Sequence, residues 1–388
     1  MTRNTVLSLP LLAGISPSRY FELRKCALRV IFSAGKVPFA LPVSPTARVG
    51  LIAHGVLRYA AAYGGASGDV AQRIDAEWRR LVAKEEAEMA RCPRDPFAKL
   101  FLPIAAHASD YELKRRLTIG KAIGLAVTQC GGRAGPVPSA TMPHTGAEQR
   151  YATADGMLCG QVDRIAYEGN RLVITDFKTG ALADETVATT ARGHAPVVPQ
   201  YVLQLKFYAY LYYSRTGRWP DTLRLEGLDG ASREIPVIPD ECASLAQAAR
   251  EALAGINRDI GAVNLGKSDA TILAGTVGPE VCAWCPYRPI CPAFRGKLES
   301  AHITDASGQI DLCGEVEDRG KDSRGNSWLR LRVGSRAVTL TTIDPKRAGV
   351  TEVQSLERAD RISAFSLIGR NTEGVTLRAG PFTRILKF

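Results

Sequence analysis

Two aspartates and a lysine occupy neighbouring strand-like segments near the middle of the sequence. The segments 157–167 and 171–178 are separated by a glycine and an asparagine, and such a two-residue connection is a strong signal for a β-hairpin. Counting pairs outward from this turn places Asp163 directly opposite Asp176. Facing residues of this kind have Cβ atoms about 4.5–5.5 Å apart. Because side chains alternate along a strand, Lys178 lies on the same face as Asp176.

Two facing carboxylates on a largely apolar surface require either a cation or a shared proton. Oxygen ligands of this kind suit Mg²⁺ or Mn²⁺, which also accept phosphate oxygens as ligands. A bound ion of this type lowers the pKa of a water molecule and stabilises charge that develops at phosphorus. Lys178 beside the metal can orient or deprotonate that water. The alternative is an outward-facing hairpin with solvated charges, against which the apolar run 172–174 argues.

A cysteine cluster is the second group of residues whose types and spacing could do chemistry. Cys282, Cys285 and Cys291 follow the spacing C-x2-C-x5-C, and three prolines stiffen the surrounding segment. Three thiolates so close in sequence predict a metal site, which for zinc or an iron–sulfur cluster normally has four ligands. The spacing does not distinguish the two metals, and it leaves the fourth ligand open among the six other cysteines.

These segments resemble the PD-(D/E)XK nuclease superfamily. The stretch Gly160–Asp163 followed by Ile174–Gly180 is similar to the core of that superfamily, and in particular to its RecB-type branch. That branch has a Gly-x-x-x-His segment upstream, which Gly50–His54 matches. It also has a Gln-x-x-x-Tyr helix downstream, which Gln204–Tyr208 matches, and residues four apart share one helix face.

The resemblance implies a role for each matched residue. His54, Asp163 and Asp176 would coordinate one or two Mg²⁺ or Mn²⁺ ions. Lys178 would orient the attacking water, and Gln204 and Tyr208 would position the scissile strand. A lone histidine such as His54 is otherwise more often a core residue, and the accompanying motifs reverse that preference. Glu148 is a further carboxylate near the hairpin, or an ordinary surface glutamate.

The resemblance also bears on the cysteines. The segment Ser16–Cys26 is similar to the one that supplies a distant first cysteine in iron–sulfur members of the branch, such as the AddB nuclease domain and CRISPR-associated adaptation nucleases. It implies a [4Fe–4S] cluster that fastens the first helix to the end of the nuclease domain, held by Cys26, Cys282, Cys285 and Cys291. Alanine follows Cys26 where relatives often have proline, so Cys92 remains a competing ligand. Zinc remains the alternative metal.

The elements that must position these residues follow from hydrophobic periodicity and turn signals. We expect a first helix from Ser16 through Val30 and further helical or strand segments at 47–62, 69–130, 200–214, 221–228, 233–238 and 240–260. Together with the hairpin they predict an α/β restriction-endonuclease-like nuclease core with helical insertions over residues 1–298.

The hydrophobic pattern of the sequence changes beyond this core. Residues 299–388 contain five short alternating runs, with a helical stretch at 346–358 before the fourth, which is the order of an all-β OB-like barrel. Trp328, Arg330 and Arg332 share the outward face of one strand, an arrangement suited to single-stranded nucleic acid. A solvated strand face or a protein-docking module is the alternative. Lys114–Arg116 is the best phosphate-contact candidate in the helical region.

Composition limits the class of protein. The chain has 388 residues, 45% of them hydrophobic, and a net charge of +11, which excludes a disordered chain and favours a polyanionic partner such as DNA. No stretch approaches the roughly 18 apolar residues of a membrane span. The sequence shows no secretion signal, and nine cysteines without one indicate a reducing compartment, so we expect a cytoplasmic protein.

These observations together predict a metal-dependent deoxyribonuclease that acts on single-stranded DNA or DNA ends in repair, defence or adaptation. The sequence contains no G-x-x-x-x-G-K-[ST] motif, so a helicase or another complex subunit is an expected partner. The alternative is a non-catalytic scaffold subunit of a helicase complex that binds DNA ends or single strands. The joint presence of Asp163, Asp176 and Lys178 favours the enzyme, because a degenerate site usually loses one of them.

Overall fold

The computed structural model describes residues 8–62, 69–131, 146–182, 197–306, 309–344, 353, 355–369 and 376–387. Within these ranges the α-helices are α1 Pro17–Lys25, α2 Ala27–Ala34, α3 Thr46–Ala61, α4 Val70–Arg91, α5 Ile104–His107, α6 Tyr111–Gly131, α7 Pro199–Thr216, α8 Pro239–Asn264, α9 Pro279–Cys282 and α10 Pro292–Ala301. The strands are β1 Gly146–Ala152, β2 Cys159–Glu168, β3 Arg171–Lys178, β4 Thr222–Gly227, β5 Ser232–Ile235, β6 Ile303–Ala306, β7 Gln309–Lys321, β8 Ser327–Val333, β9 Arg336–Ile343, β10 Arg361–Ile368, β11 Thr376–Arg378 and β12 Arg384–Lys387. None of the helices described is long and apolar enough to cross a membrane.

The first sheet contains the hairpin that the sequence predicts. Its strand order is β1-β2-β3-β4-β5, with β3 and β4 parallel and the other pairs antiparallel. Helix α7 connects β3 to β4, because parallel neighbours need a crossover. Arg164 pairs with Thr175 and Glu168 pairs with Arg171, which confirms the register predicted from the turn. Asp163 therefore lies one position beyond the Arg164–Thr175 pair.

Helices cover both faces of this sheet. Leu205 and Phe207 of α7 share a hydrophobic core with Ile174 of β3. Helices α3, α4 and α6 form a second core, built around Trp78, that includes Phe177 of β3. Since alternate residues of a strand point to opposite faces, β3 is buried on both sides, which explains the continuous apolar run before Asp176.

The structure corrects the first predicted helix. The prediction of one helix through Val30 is wrong, because the backbone is extended at Cys26 (φ −162°, ψ 102°), where α1 ends and α2 begins. Gly275 packs against this break, and a Cβ atom there would overlap the carbonyl oxygen of Lys25. This close approach places the segment around Gly275, which precedes Cys282, Cys285 and Cys291 in the chain, next to Cys26. The predicted helices at 47–62, 200–214 and 240–260 are confirmed with small shifts at their ends.

The second sheet has seven strands in the described ranges, where the sequence indicates five. The order is β12-β10-β11-β9-β8-β7-β6, and an additional pairing of β10 with β7 closes a ring of β7, β8, β9, β11 and β10. Strands β9 and β11 are parallel. The additional strands, β6 and β12, have four residues each, too few for alternation to reveal them. Most of the predicted helix 346–358 lies outside the described residues.

A buried ion pair connects the cysteine segment to the second sheet. Arg288 Nε lies 2.7 Å from Asp311 Oδ2 of β7, and both side chains are almost completely buried. Arg288 also donates to the hydroxyl of Ser366 in β10 at 2.8 Å and to the carbonyl oxygen of Cys282 at 2.9 Å. The Ser366 N–H donates to Asp311 at 2.7 Å. One guanidinium therefore joins the cysteine segment to two strands of the closed ring.

Candidate active site

The two aspartates lie at the end of the β2–β3 hairpin, between α3 and α7. Asp176 is 2% exposed and Asp163 is 9% exposed, so both carboxylates are largely removed from water. Lys178 Nζ lies 2.6 Å from Asp176 Oδ2, and His54 Nδ1 lies 3.6 Å from Asp163 Oδ2. The structure thus brings together the four residues that the sequence assigns to the metal and the water.

Asp176 is the most strongly perturbed carboxylate of this group. Burial raises its pKa, the ammonium of Lys178 lowers it and the nearby carboxylate of Asp163 raises it, and together these effects bring the pKa to about 6. Oxygen Oδ2 of Asp176 contacts Lys178 as an ion pair but lacks a well-aligned hydrogen bond within the described residues. A buried carboxylate oxygen in this condition is suited to accept a cation.

Asp163 is fixed by the neighbouring strand. The backbone N–H of Phe177 donates to Asp163 Oδ2 at 2.9 Å, so a side chain of β2 takes a hydrogen bond from the backbone of β3. Because Arg164–Thr175 is the last regular pair of this ladder, the bond falls where regular pairing stops. The carboxylate is thereby held at the end of the hairpin, facing His54.

Helix α7 supplies a chain of side-chain hydrogen bonds to the site. Lys178 Nζ donates to Gln204 Oε1 at 2.8 Å, and Gln204 Nε2 lies 3.3 Å from Asp176 Oδ1 and 3.0 Å from the hydroxyl of Tyr208. Burial raises the pKa of Tyr208 well above its usual range, so this phenol stays protonated. The i, i+4 spacing expected to bring Gln204 and Tyr208 to one cleft therefore does so.

Tyr201 also belongs to the site, although it was not predicted from the sequence. The Nζ atom of Lys178 lies 4.5 Å from the centroid of the Tyr201 ring, within the range of a cation–π contact. Tyr201 precedes Gln204 by three positions on α7, so the same helix face carries both. That spacing is the signal from which its position could have been inferred.

The donor types fit a divalent cation. Asp163 and Asp176 offer carboxylate oxygens and His54 offers an imidazole nitrogen, a set that suits Mg²⁺ or Mn²⁺ with phosphate oxygens completing the shell. In the described part of the chain no three His, Cys, Asp or Glu side chains are already arranged to hold a metal ion. At present the ion pair with Lys178 is what offsets the charge of the buried Asp176.

The other three cysteines of the predicted cluster are electrostatically influenced by Cys26, which lies at the break between α1 and α2. Burial raises the pKa of Cys285 to about 11, and it also raises the pKa values of the Cys282 and Cys291 thiols. The charge of Cys26 contributes to all three shifts, so its thiol lies within electrostatic reach of the others. Arg29 opposes the shift at Cys285, which places its guanidinium near that thiol. Cys92 lies at the end of α4.

The outward residues of β8 face acidic neighbours. Trp328, Arg330 and Arg332 alternate with buried residues, as the sequence predicts. Arg332 forms an ion pair with Glu315, and Arg330 pairs across the strands with Asp318. In the helical region, Lys114 and Arg115 of the predicted phosphate-contact triplet pair with aspartates. Glu148 lies in β1, and its side chain is outside the described part of the structure.

Comparisons with known proteins identify a matching family and distantly similar solved structures. The family model described as the PD-(D/E)XK nuclease superfamily matches residues 14–292. No curated protein matches the chain. A solved structure titled "Crystal structure of SSO0001" is 15% identical and covers 73% of this chain and 98% of its own, with a TM-score of 0.25. At that score the likeness carries no structural argument.

Proposed function

The chain belongs to the PD-(D/E)XK nuclease superfamily, and we propose that it is a Mg²⁺- or Mn²⁺-dependent deoxyribonuclease of the RecB-type branch. The observation that carries this proposal is the buried pair Asp163 and Asp176 with Lys178 in contact with the second carboxylate. Two buried carboxylates beside a lysine are costly to keep unless they serve a cation and a reaction. We propose single-stranded DNA or DNA ends as the substrate.

Each residue of the site has a separate role in the proposed hydrolysis. A divalent ion, when bound by Asp163, Asp176 and His54, would activate a water and offset charge on the phosphate. Lys178 contacts the carboxylate that would hold this ion and donates a hydrogen bond to Gln204 Oε1, so its ammonium is held where it can orient the water. Gln204 forms hydrogen bonds with both Lys178 and Tyr208. It therefore fixes the lysine and presents its amide to the DNA strand.

The proposal is tested by cleavage of end-labelled single- and double-stranded DNA with Mg²⁺, Mn²⁺ or EDTA. We expect cleavage with either metal and none with EDTA, and the ladder of products gives the polarity. The rival function is a non-catalytic scaffold of a helicase complex. Tight DNA binding without cleavage under any metal, including in the presence of a helicase partner, would favour that rival.

We predict that the affinity for Mn²⁺ depends on pH through Asp176. Its raised pKa of about 6 means that a proton competes with the cation below that pH. Affinity should be nearly constant above about pH 7 and fall up to about tenfold for each pH unit below about 6. Calorimetric Mn²⁺ titration between pH 5 and 8 measures this, and an affinity independent of pH over the whole range would contradict the assignment of Asp176 as a ligand.

We further propose that Cys26, Cys282, Cys285 and Cys291 hold a [4Fe–4S] cluster, with zinc as the alternative metal. The electrostatic influence of Cys26 on the other three thiols supports this, because soft thiolates are the ligands of such clusters. In the described ranges no three of them are already arranged around an ion, so cluster binding would draw them together.

Replacement of single cysteines tests the cluster. We expect Cys26→Ser and Cys285→Ser to lose the iron and sulfide of the anaerobically purified protein, because each removes one of four ligands. Cys92→Ser is the matched control and should retain both. Loss of iron in Cys92→Ser but not in Cys26→Ser would identify Cys92 as the fourth ligand. Purified protein that contains stoichiometric zinc in place of iron would favour zinc as the metal.

For the C-terminal region, 299–388, we propose an OB-like domain that contacts single-stranded DNA through Trp328, Arg330 and Arg332. Support comes from the closed ring of five strands with its parallel β9–β11 pair. A separate helicase or another complex subunit is the proposed partner, since the nuclease region contains no P-loop motif. A reducing, cytoplasmic setting is consistent with free thiols at the eight described cysteines.

A further inference from the structure

A cleft adjoins the site on the side of the cysteines. It has a volume of about 330 Å³ and lies between α1 and the start of α2 on one side and α7 on the other. On the first wall it is lined by Phe21 and Lys25, which are four positions apart on one side of α1, and by Arg29 of α2. On the second wall it is lined by Tyr201 and Gln204, the two α7 residues that contact Lys178.

The two cations of this cleft form no ion pairs with carboxylates of the described residues. Lys25 is exposed and Arg29 is half-buried, and neither forms an ion pair with a described acidic residue. This distinguishes them from Arg332 of β8 and from Lys114 and Arg115 of α6, which are all paired. A half-buried guanidinium without an anion is costly, so an anionic ligand would stabilise it.

The remaining lining indicates what kind of anion fits. Phe21 and Tyr201 are half-buried aromatic residues on opposite walls, and aromatic rings beside cations are typical of grooves that bind single strands. Glu22 and Glu280 also line the cleft, so its two basic and two acidic side chains balance in number. A duplex carries one phosphate charge per 1.7 Å and requires many cations, so this balance favours a single strand.

We propose that this cleft binds the single strand on one side of the scissile phosphodiester, with Lys25 and Arg29 contacting phosphates and Phe21 stacking on a base. The inference rests on the proposed nuclease function and adds the route of the strand. Because Tyr201 and Gln204 border both the cleft and Lys178, a strand in the cleft continues directly to Asp163 and Asp176. The strand thereby passes next to Cys26, which lines the same cleft.

The test is single-strand binding with Ca²⁺ in place of the catalytic metal, measured by fluorescence anisotropy of a labelled oligothymidylate at several salt concentrations. Lys25→Gln and Arg29→Gln should each weaken binding on the order of tenfold. Each should also reduce the slope of log affinity against log salt by about 0.7, as expected for one lost phosphate contact on a single strand. Arg19→Gln removes the same charge from an exposed α1 residue outside the cleft and should change neither quantity.

Unchanged slopes in both cleft variants, or an equal change in Arg19→Gln, would overturn the proposal. The proposal would also be overturned if Arg29→Gln lost its cluster iron while Lys25→Gln bound single strands as well as wild type. Arg29 would then stabilise the cysteine thiols and not contact DNA. Hydrolysis of bis(p-nitrophenyl) phosphate with Mn²⁺ separates this proposal from the function. That small ester does not need the cleft, so the cleft variants should hydrolyse it at the wild-type rate. A wild-type protein inactive on both ester and DNA would contradict the function alone.

Discussion

Asp176→Asn is expected to lower the rate of DNA cleavage by at least about 10³-fold while leaving the protein folded. Asp176 is the buried carboxylate that contacts Lys178 and Gln204, so the amide removes the negative charge that would hold the cation. Metal ions contribute several kcal/mol to transition-state stabilisation, and each 1.36 kcal/mol is tenfold in rate. Lys178→Met should cause a loss of similar size, because the ammonium beside the carboxylate is removed.

Two further variants make the interpretation specific. Lys178→Arg retains the positive charge but not the compact ammonium, so we expect it to remain well below wild-type activity. Asp259→Asn on the exposed side of α8 makes the same chemical change as Asp176→Asn at a distance from the site and should be fully active. Single-turnover cleavage with Mn²⁺ gives the rates, and circular dichroism confirms folding. Activity of Asp176→Asn within tenfold of wild type would exclude it as a ligand of the catalytic metal.

Arg288→Met is expected to lower the free energy of unfolding by about 3 to 5 kcal/mol, the range measured when one partner of a buried ion pair is removed. Asp311 would then be buried without its counter-ion, and burial already raises the pKa of this carboxyl, although Arg288 counteracts it. The hydrogen bonds of the guanidinium to Ser366 and to the carbonyl oxygen of Cys282 would be lost as well. Urea unfolding at constant pH measures the loss.

A surface pair on the same sheet provides the control. Arg332 and Glu315 also join β7 to its neighbour, but their side chains are 58% and 38% exposed. Arg332→Met should therefore cost less than about 1 kcal/mol. In the double variant Arg288→Met/Asp311→Leu, much of the lost stability should return, because apolar residues replace both charges. A loss for Arg288→Met no larger than that for Arg332→Met would show that the buried pair does not fasten the cysteine segment to the second sheet.

Hydrogen exchange locates the effect. If the pair fastens the second sheet to the cysteine segment, the amides of β7 and β10 should exchange faster in Arg288→Met than in wild type. Strands β2 and β3 of the first sheet should keep their protection, since they make no contact with Arg288 among the bonds described. Faster exchange throughout both sheets would instead indicate global destabilisation.

The local features of the site followed from the sequence. A two-residue turn of glycine and asparagine fixes the hairpin register, and the strand pairs from Arg164–Thr175 to Glu168–Arg171 agree with it. The four-residue interval between Gln204 and Tyr208 placed both on one face of α7, where a hydrogen bond joins them. Such features depend on dihedral preferences and periodicity, which act between residues close in sequence.

The tertiary structure decided what joins distant segments. Helical periodicity continues through Cys26, and only the packing of Gly275 against Lys25 accompanies the break that turns this cysteine toward the others. The hydrogen bond from Phe177 to Asp163 and the burial of Arg288 against Asp311 likewise have no signature in local pattern. The sequence alone predicted the residue types of the candidate site, the elements that carry them and the register of the hairpin. Contacts between segments far apart in the chain decided which other side chains bury the site, offset its charge or line the cleft beside it. Periodicity does not encode such contacts.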